Sequence, residues 1–443
     1  MKQSHRLNNV GLINRDKVIP FNFNGKSYQG YEGDTLASAL LANGVHLVGR
    51  SFKYHRPRGF IGAGVDEPNA KLQVTINGHS EPNINATEIE LVDGLSATSQ
   101  NCWPSVEFDI GAINNFLKRF FPAGFYYKTF MWPKSFWYRV YEPFIRKAAG
   151  LGVASLEKDK ERYEHKFEYC DLLVTGSGPS GLASAYAAAK NGAKVILAED
   201  KPRYGGTLLT DDVSIDNMSG KDWSEKIISE LKTMPNVTLK NRSQVFGYYD
   251  HNMMVMFERV GDHLSNKSKY TPRQRLWYIR AKETILSTGS IERPIVFGNN
   301  DTPGVVLSSA AKEYMKVYGV LVGRKPIIFT NNDSAYETAF EFKKNNVEPI
   351  ILDTREEHDS EVVQEAKNKG IQIKFSYGVI VSNGYKKVKS AKIGKLTKDK
   401  KSFESTETID CDCICVSGFW TPTIHLASQS GNKTKFNENI DAF

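Results

Sequence analysis

The chain has 443 residues, of which 40% are apolar and 24% are charged, values typical of a globular protein with room for two to four domains. Five cysteines do not form a disulfide scaffold in a chain of this length, so we expect a reducing, cytoplasmic compartment. The net charge of +8 is spread along the chain and predicts no nucleic-acid partner, and the absence of a signal sequence or an apolar stretch of about 18 residues predicts no membrane association.

The first predicted domain follows a polar tail at residues 1–17 and covers residues 18–100. Its opening, VIPFNFNGKSYQGYEG, alternates apolar and polar residues around an Asn-Gly turn, which predicts a β-hairpin. The next stretch, DTLASALLANG, predicts a short helix with Asp34 as its N-cap and Gly44 as its stop. Two further strands are predicted at KLQVTING and TEIELVDG. This order of elements predicts a small β-grasp domain.

Residues 101–165 form a segment of different composition, with three Trp and four Tyr between residues 101 and 152. One interpretation is a connector whose aromatic side chains cover a neighbouring domain. The other is an exposed subunit interface, because Trp, Tyr and Arg are enriched among interface anchors. The sequence leaves both open.

A dinucleotide-binding loop is predicted at LLVTGSGPSG, residues 172–181. In this pattern Gly176 permits a tight turn, Gly178 lets the backbone approach a pyrophosphate, and Gly181 lets helix and strand pack closely. A second apolar run, AKVILAED, places Glu199 about 20 residues further on, where an acid accepts from a ribose hydroxyl. Strand, turn, helix, second strand and acid together predict a βαβ unit that binds a dinucleotide, with the phosphates at the helix N-terminus.

The predicted dinucleotide-binding domain extends over residues 166–324. After a Gly-Gly turn it has a helical stretch around Trp223–Leu231 and a strand at Ser243–Tyr249. The strand-like RAKETILS ends in Thr288-Gly289, which is how oxidoreductases with two dinucleotide units commonly bring the chain past the bound nucleotide.

A second strand–helix–strand pattern opens an inserted unit at residues 325–420. Its turn reads Thr-Asn-Asn-Asp at residues 330–333 instead of carrying glycines, so the backbone stays farther from any phosphate and a structural role is favoured over nucleotide binding. Residues 421–443 begin a return to the first unit, and the usual last strand and helix do not follow. The sequence therefore predicts a fragment of a longer polypeptide.

Several stretches resemble the α subunit of heterotetrameric sarcosine oxidase, in the same order along the chain. They are RSFKYHRPRGFIGAGVDEPNA (50–70), PAGFYYKTFMWP (122–133), the glycine loop (176–181), STGSIERPIVFGNNDTPGV (287–305), TNNDSAYETA (330–339) and VSGFWTPTIHLASQSG (416–431). The resemblance implies an α/β fold: a small ferredoxin-like β-grasp domain followed by a Rossmann-like FAD/NAD(P)-type domain of the two-dinucleotide class, into which the second βαβ unit is inserted.

The resemblance also implies a function, the oxidative demethylation of sarcosine to glycine with one-carbon transfer to tetrahydrofolate and formation of peroxide. The implied cofactors are NAD on this chain, FMN at the interface with a partner subunit, FAD on the partner, and tetrahydrofolate on a C-terminal half that this chain lacks. The implied partners are β, γ and δ subunits and a small amine substrate.

The resemblance assigns NAD contacts to Ser180, Glu199, Asp200, Lys201, Thr207 and Val245. Ordinary loop charge remains an alternative for the acid and the lysine that follow Glu199. With the residues taken from the glycine patterns, the candidate cofactor site comprises Gly176, Gly178, Ser180, Gly181, Glu199, Asp200, Lys201, Gly206, Thr207, Val245, Thr288 and Gly289.

No iron–sulfur cluster is expected, because plant-type clusters need thiolates at C-x₄-C-x₂-C spacing and the loop Ser51–Asn69 has no cysteine. No metal site is predicted either. Cys411, Cys413 and Cys415 alternate along one face of a strand and favour buried packing. His55 lies among cations in KYHRPRG and is interpreted as a loop anchor.

Three functions stay open. The first is a sarcosine oxidase subunit that binds NAD, with no catalytic residue assigned to this chain. The second is a self-contained flavin- or NAD-dependent reductase that uses its own two dinucleotide units. The third is a non-catalytic subunit whose bound NAD stabilises the fold without turning over.

Overall fold

The computed structural model describes residues 3–120, 130–148, 150–265 and 267–443. Most of the stretch 122–133, which contributes to the family resemblance, lies outside the described residues. In the described ranges no helix is long and apolar enough to cross a membrane.

The α-helices of the described residues are α1 (Leu36–Ala42), α2 (Ile113–Phe116), α3 (Glu142–Ala148), α4 (Pro179–Lys190), α5 (Gly220–Thr233), α6 (Ser308–Lys316), α7 (Tyr336–Lys344), α8 (Glu361–Asn368) and α9 (His425–Gln429). The strands before the dinucleotide loop are β1 (Asn14–Phe23), β2 (Lys26–Glu32), β3 (Gly49–Arg50), β4 (Pro57–Arg58), β5 (Lys71–Ile76), β6 (His79–Asn85), β7 (Ser96–Ser99) and β8 (Tyr163–Thr175). The strands after that loop are β9 (Val195–Ala198), β10 (Ser214–Ile215), β11 (Met218–Ser219), β12 (Val237–Lys240), β13 (Ser243–Tyr249), β14 (Met253–Arg259), β15 (Gln274–Leu286), β16 (Ser290–Glu292), β17 (Val305–Leu307), β18 (Pro326–Thr330), β19 (Ile350–Asp353), β20 (Gln372–Phe375), β21 (Tyr377–Gly384), β22 (Val388–Leu396), β23 (Phe403–Asp410), β24 (Cys413–Ser417) and β25 (Trp420–Pro422).

The chain divides into two compact units, and each is built from two stretches of sequence. The first unit combines Met1–Lys158 with Pro294–Gly418, and the second combines Asp159–Arg293 with Phe419–Phe443. Each unit therefore needs residues that lie far apart in the sequence.

The first unit opens with a five-stranded sheet in the order β2-β1-β7-β5-β6. β1 and β2 are antiparallel and pair Phe23 with Lys26, so the two residues between them form the predicted hairpin turn. β1 and β7 are parallel, and α1, whose residues are all buried, lies between the hairpin and the later strands in sequence. The arrangement confirms the predicted ferredoxin-like β-grasp domain.

The predicted cap of α1 was wrong by one residue. Thr35 is the N-cap, and its hydroxyl accepts a hydrogen bond from the Ser38 backbone N at 3.2 Å. Asp34 is buried and its carboxylate is bound instead to the guanidinium of Arg6, with 2.6 Å between Oδ2 and Nη2. The Asp34 carboxylate is thus held by Arg6 and by the Ser38 hydroxyl, while Thr35 caps the helix backbone.

The strand predicted at TEIELVDG is also wrong, because residues 87–94 form a loop with one isolated bridge. Its backbone groups bind the start of α1: the carbonyl of Ile89 accepts from Leu36 N at 2.9 Å, and Leu91 N donates to the carbonyl of Asp34 at 2.9 Å. The apolar side chains of the loop are buried as a strand's would be, while its hydrogen bonds serve the helix rather than a sheet.

The first unit also contains a parallel five-stranded sheet, β17-β24-β18-β19-β20, and an antiparallel three-stranded sheet, β21-β22-β23. The succession β18, α7, β19 is the strand–helix–strand predicted for the inserted unit. β24 is an interior strand of the parallel sheet, with Cys413 and Cys415 buried in it and Cys411 buried just before it.

The second unit is built on a six-stranded sheet in the order β12-β9-β8-β15-β14-β13. The strands β12, β9, β8 and β15 are parallel, and β14 and β13 continue the sheet antiparallel. α4 and α5 bury apolar side chains in one cluster with β8 and β9, which includes Leu182, Leu197 and Leu231. This is the Rossmann-like unit predicted from the glycine loop, and its parallel strand ends position the candidate site.

A buried carboxylate organises the loop between β4 and β5. Glu67 is 2% exposed, and its Oε2 accepts from Ile61 N at 2.6 Å and from Gly62 N at 2.8 Å. Its Oε1 accepts from Asn69 N at 2.6 Å and from Ala70 N at 3.1 Å. One side chain thus satisfies four backbone donors that would otherwise be buried without partners.

We predict that Glu67→Gln lowers the thermal unfolding midpoint by several degrees. The amide NH₂ of glutamine faces two backbone donors, and each buried donor left unsatisfied costs about 1–3 kcal/mol. Circular dichroism of the full chain measures the midpoint, and Glu404→Gln, at an exposed position of β23, is the matched control. Equal midpoints for the two variants would show that the loop does not depend on this carboxylate.

Candidate functional site

The glycine loop begins where β8 ends, and its first glycine is required by sterics. Gly176 has a φ of +96°, in the region that favours glycine. A Cβ at this position would lie 2.2 Å from the backbone oxygen of Ser287, at the end of β15. The turn is therefore closed by two parallel strand ends that approach too closely for any side chain.

The other two glycines of the loop have different surroundings. A Cβ on Gly181 would lie 1.9 Å from the backbone oxygen of Gly176, so α4 and the turn are in direct contact. Gly178 is the N-cap of α4, with a φ of −64°, and a Cβ there would meet no atom within 4 Å. Gly181 thus lies where the helix packs closely on the turn, and Gly178 lies where the backbone is open, as the glycine pattern predicts.

Glu199 follows β9 and lies beside this loop, almost fully buried at 5% exposure. Its Oε2 accepts from the backbone N of Ser177 at 2.9 Å and from the Ser177 hydroxyl at 2.5 Å. Its Oε1 accepts from Lys201 N at 3.0 Å. Burial, followed by the neighbouring carboxylate of Asp200, raises the pKa of Glu199 to about 8.

Ser177 was not among the predicted site residues, although its hydroxyl joins three parts of the site. Besides donating to Glu199, its Oγ accepts from Gly205 N at 3.0 Å. A Cβ on Gly206 would lie 3.0 Å from the Cα of Gly178, so the second glycine turn packs against the loop. The available sequence signal was a lone hydroxyl between two glycines of the pattern, which no spacing rule singles out.

The remaining predicted residues lie around this centre at different depths. Ser180 and Thr207 are exposed, while Asp200 and Lys201 are half-buried. Val245 is buried in β13, and its side chain packs in the core of the sheet. This leaves only its main chain to face a ligand.

Thr288 and Gly289 continue from β15 next to the first turn of the loop. The Thr288 hydroxyl donates to the carbonyl of Thr423 at 2.7 Å, and Thr423 N donates to the carbonyl of Gly289 at 2.9 Å. The returning segment after β24 is thereby joined to the edge of the candidate site, and β25 pairs with β16 just beyond it.

The corresponding position of the inserted unit is organised differently. Asp353, at the end of β19, is fully buried, and its Oδ2 accepts from the Tyr336 hydroxyl at 2.8 Å and from Arg355 Nη2 at 2.7 Å. In the turn, the Asn332 side chain donates to Ser417 Oγ at 3.0 Å. The side chains of this unit thus occupy the acceptor that a ribose would need, which supports a structural role for it.

Two family models match separate parts of the chain. Residues 16–102 match the model of a 2Fe-2S iron-sulfur cluster binding domain, and residues 171–253 match the model of an FAD dependent oxidoreductase. The second match covers the glycine loop, Glu199 and β13.

Related proteins match over nearly the whole chain. The sarcosine oxidase subunit alpha of Rhizobium meliloti (strain 1021) is 45% identical over 441 residues, which is 99% of this chain and 44% of the relative. That of Corynebacterium sp. (strain U-96) is 31% identical over 97% of this chain and 40% of the relative. Among solved structures, L-proline dehydrogenase from P. horikoshii superimposes with a TM-score of 0.61 at 20% identity, covering 98% of this chain and 66% of that one, which shows a shared fold.

The first family match overturns the expected cofactor set, which excluded an iron–sulfur cluster. The expectation was wrong for the domain because it rested on the composition of one loop, whereas the match extends over the whole β-grasp domain.

The donor set of this chain does not fit a four-thiolate cluster in that domain. The matched range contains one cysteine, Cys102 at its end, and burial raises the pKa of its thiol to about 11. Within the described ranges no group of three or more His, Cys, Asp or Glu side chains could hold a metal ion.

A pair of glycine variants separates folding from nucleotide binding. We predict that Gly181→Ala lowers the thermal midpoint, because its Cβ would collide with the Gly176 carbonyl 1.9 Å away. Gly178→Ala should keep the wild-type midpoint, because its Cβ meets open space, yet weaken dinucleotide binding at least about tenfold by blocking approach of the backbone to the pyrophosphate.

Thermal unfolding and isothermal titration calorimetry with NAD and with FAD check this pair. Undiminished affinity in Gly178→Ala would place the pyrophosphate elsewhere.

Proposed function

The chain is homologous along almost its whole length to part of the sarcosine oxidase α subunit, and on this basis we propose that it binds the adenosine half of NAD at the loop 176–181, as a subunit of an oxidoreductase. The chain spans less than half the length of these relatives, 44% and 40%. We therefore propose the activity of the complete enzyme from that of its relatives. The observation that carries it is the buried carboxylate of Glu199 beside an open glycine at a helix N-terminus.

The residues of this chain bind and orient the dinucleotide. The N-terminus of α4 has no side-chain cap, so its backbone donors and positive dipole end are directed toward the pyrophosphate. The open surface at Gly178 lets the phosphate oxygens approach the backbone. Glu199 accepts from the ribose hydroxyls, while Ser177 holds the carboxylate in position. The bound NAD supplies a two-electron hydride acceptor.

For the assembled enzyme we propose oxidative demethylation of sarcosine to glycine. The N-methyl carbon passes to tetrahydrofolate, and the two electrons reach oxygen to form peroxide. The partners are the β, γ and δ subunits of such a complex. No catalytic residue of this reaction is assigned to the described residues, whose part in it is to hold the dinucleotide and contact a partner.

A self-contained reductase with two working dinucleotide units is the alternative from the same enzyme class. It would require a ribose site at the end of β19, where Asp353 is already bound by Tyr336 and Arg355. This arrangement counts against the alternative.

Expression of the chain alone and together with its partner subunits separates the candidate functions. The visible absorbance and the extracted nucleotides of each preparation are measured. NAD in the isolated chain, with flavin absorbance and sarcosine-dependent peroxide only in the complex, is the expected result. Flavin bound to the isolated chain would favour the reductase, and NAD that is never reduced in the active complex would indicate a structural role.

We predict that the affinity for the dinucleotide rises with pH between about 6.5 and 8, by up to about tenfold per pH unit. The pKa of Glu199 in the free protein is raised to about 8, so the carboxyl is largely protonated at neutral pH. Ribose hydroxyls that donate to Glu199 stabilise its ionised form, so binding releases a proton and is favoured as pH rises.

Calorimetric titration in buffers of different ionisation enthalpy measures both the affinity and the released proton. Glu199→Gln should bind more weakly, with an affinity independent of pH in this window. Glu225→Gln, on the exposed side of α5, is the control and should keep the wild-type profile. A wild-type affinity that does not change with pH would contradict the assignment of the ribose to Glu199.

A further inference from the structure

Six large apolar side chains between residues 103 and 120 are exposed to solvent. We call this set the apolar face; it consists of Trp103, Phe108, Ile110, Ile113, Phe116 and Phe120. Phe116 is 87% exposed, Phe120 73% and Trp103 69%. So many exposed large apolar side chains in one short segment are unusual on a protein that works alone and are typical of interaction sites.

The backbone beneath the apolar face is held by a buried carboxylate. Asp109 Oδ1 accepts from Trp103 N and from Gly111 N, both at 3.1 Å. Its Oδ2 lies 2.6 Å from Nδ1 of His55, which is the loop anchor that the sequence suggested. A Cβ on Gly111 would lie 2.3 Å from that ring nitrogen, so the two loops are in close contact.

A second set of polar contacts fixes the same segment from the side. Arg50 is buried, and its Nε and Nη2 donate to the carbonyl of Val106 at 2.9 and 2.5 Å. The Tyr385 hydroxyl donates to the carbonyl of Glu107 at 3.0 Å. The exposed apolar side chains therefore belong to a segment whose backbone is anchored by the buried Asp109 and Arg50.

We propose that the apolar face is the docking surface for a partner subunit of the oxidoreductase, whose contacting surface is apolar at its centre and carries carboxylates at its rim. The inference rests on the proposed function, because the relatives of this chain are named as subunits. The proposal favours the interface interpretation of residues 101–165 rather than the connector interpretation. It places the interface at residues 103–120.

The charged residues of the segment 103–120 indicate which charges the rim of the partner's surface carries. The acidic groups of the segment are engaged within the chain: Glu107 pairs with Lys386 at 2.8 Å and Asp109 pairs with His55. Lys118 and Arg119 are exposed in the turn between Phe116 and Phe120. Exposed cations beside aromatic rings attract carboxylates and increase the association rate.

A protein partner fits this geometry better than a lipid surface does. Helices that lie in a membrane interface present one long apolar side, usually over several turns. Here α2 has four residues and the following turn has three, so the rings are displayed by an irregular segment whose shape is set by Asp109 and Arg50. Aromatic anchors on a fixed, irregular surface are typical of protein interfaces.

The test uses the full chain co-purified with the sarcosine oxidase β subunit of the same organism. The double variant Phe116→Ser/Phe120→Ser should lower the affinity for that subunit at least about tenfold, with an unchanged thermal midpoint. The matched control Phe167→Ser removes a ring that is 80% exposed on β8 and should stay within about twofold of wild type. The variant Lys118→Glu/Arg119→Glu should mainly slow association and reduce its dependence on salt.

Any of the following four outcomes would contradict the inference. Wild-type affinity in the phenylalanine double variant would show that the face is not used, and failure of the wild-type chain to bind the β subunit would remove the proposed partner. A wild-type dimer that the double variant abolishes would assign the face to a second copy. Co-sedimentation of wild type, but not of the variant, with phosphatidylglycerol vesicles would assign it to a lipid surface. Nucleotide content is measured in every preparation, so that loss of the dinucleotide, which concerns the proposed function, is separated from loss of docking.

Discussion

The candidate site is organised around the buried carboxyl group of Glu199. Glu199 is held by the backbone and the hydroxyl of Ser177 and by the backbone of Lys201. Because burial disfavours the charged form, the ionised form of Glu199 is stabilised by any further hydrogen-bond donor that a ligand supplies. The hydroxyl that restrains it also binds Gly205, so the acid, the glycine loop and the second glycine turn form one connected arrangement.

Each of the two βαβ units has a buried carboxyl group at the end of its second strand, but the two groups have different partners. Asp353 is as deeply buried as Glu199, yet it is neutralised by Arg355 and bound by Tyr336. A carboxylate that already accepts from a guanidinium and a hydroxyl gains little from a ligand hydroxyl, whereas a buried acid whose ionisation is disfavoured gains more. The same topology thus carries the proposed nucleotide site in one unit and an internal network of side chains in the other.

Features that depend on neighbouring residues could be predicted from the sequence. Features that depend on contacts with residues far away in the sequence could not. The role of Gly181 followed from spacing alone, because its close contact is with the backbone of Gly176 in the same loop, whereas the contact that excludes a side chain at Gly176 comes from the distant Ser287. The cap of α1 could not be assigned, because Asp34 is engaged by Arg6 of the N-terminal tail, far away in the sequence. The cofactor expectation failed similarly: it was drawn from one loop, whereas the family of the domain is recognised over residues 16–102.

The division of each unit into two stretches of sequence sets an order of events during translation. The hairpin of β1 and β2 can form as soon as it leaves the ribosome, since its strands are adjacent. β17 and β18, by contrast, must wait for β24 to come between them, and β16 must wait for β25. Until then the nascent chain exposes unpaired strand edges, which makes it prone to aggregation and a substrate for chaperones. Assembly of each unit thus depends on strands that are synthesised long after the strands they pair with.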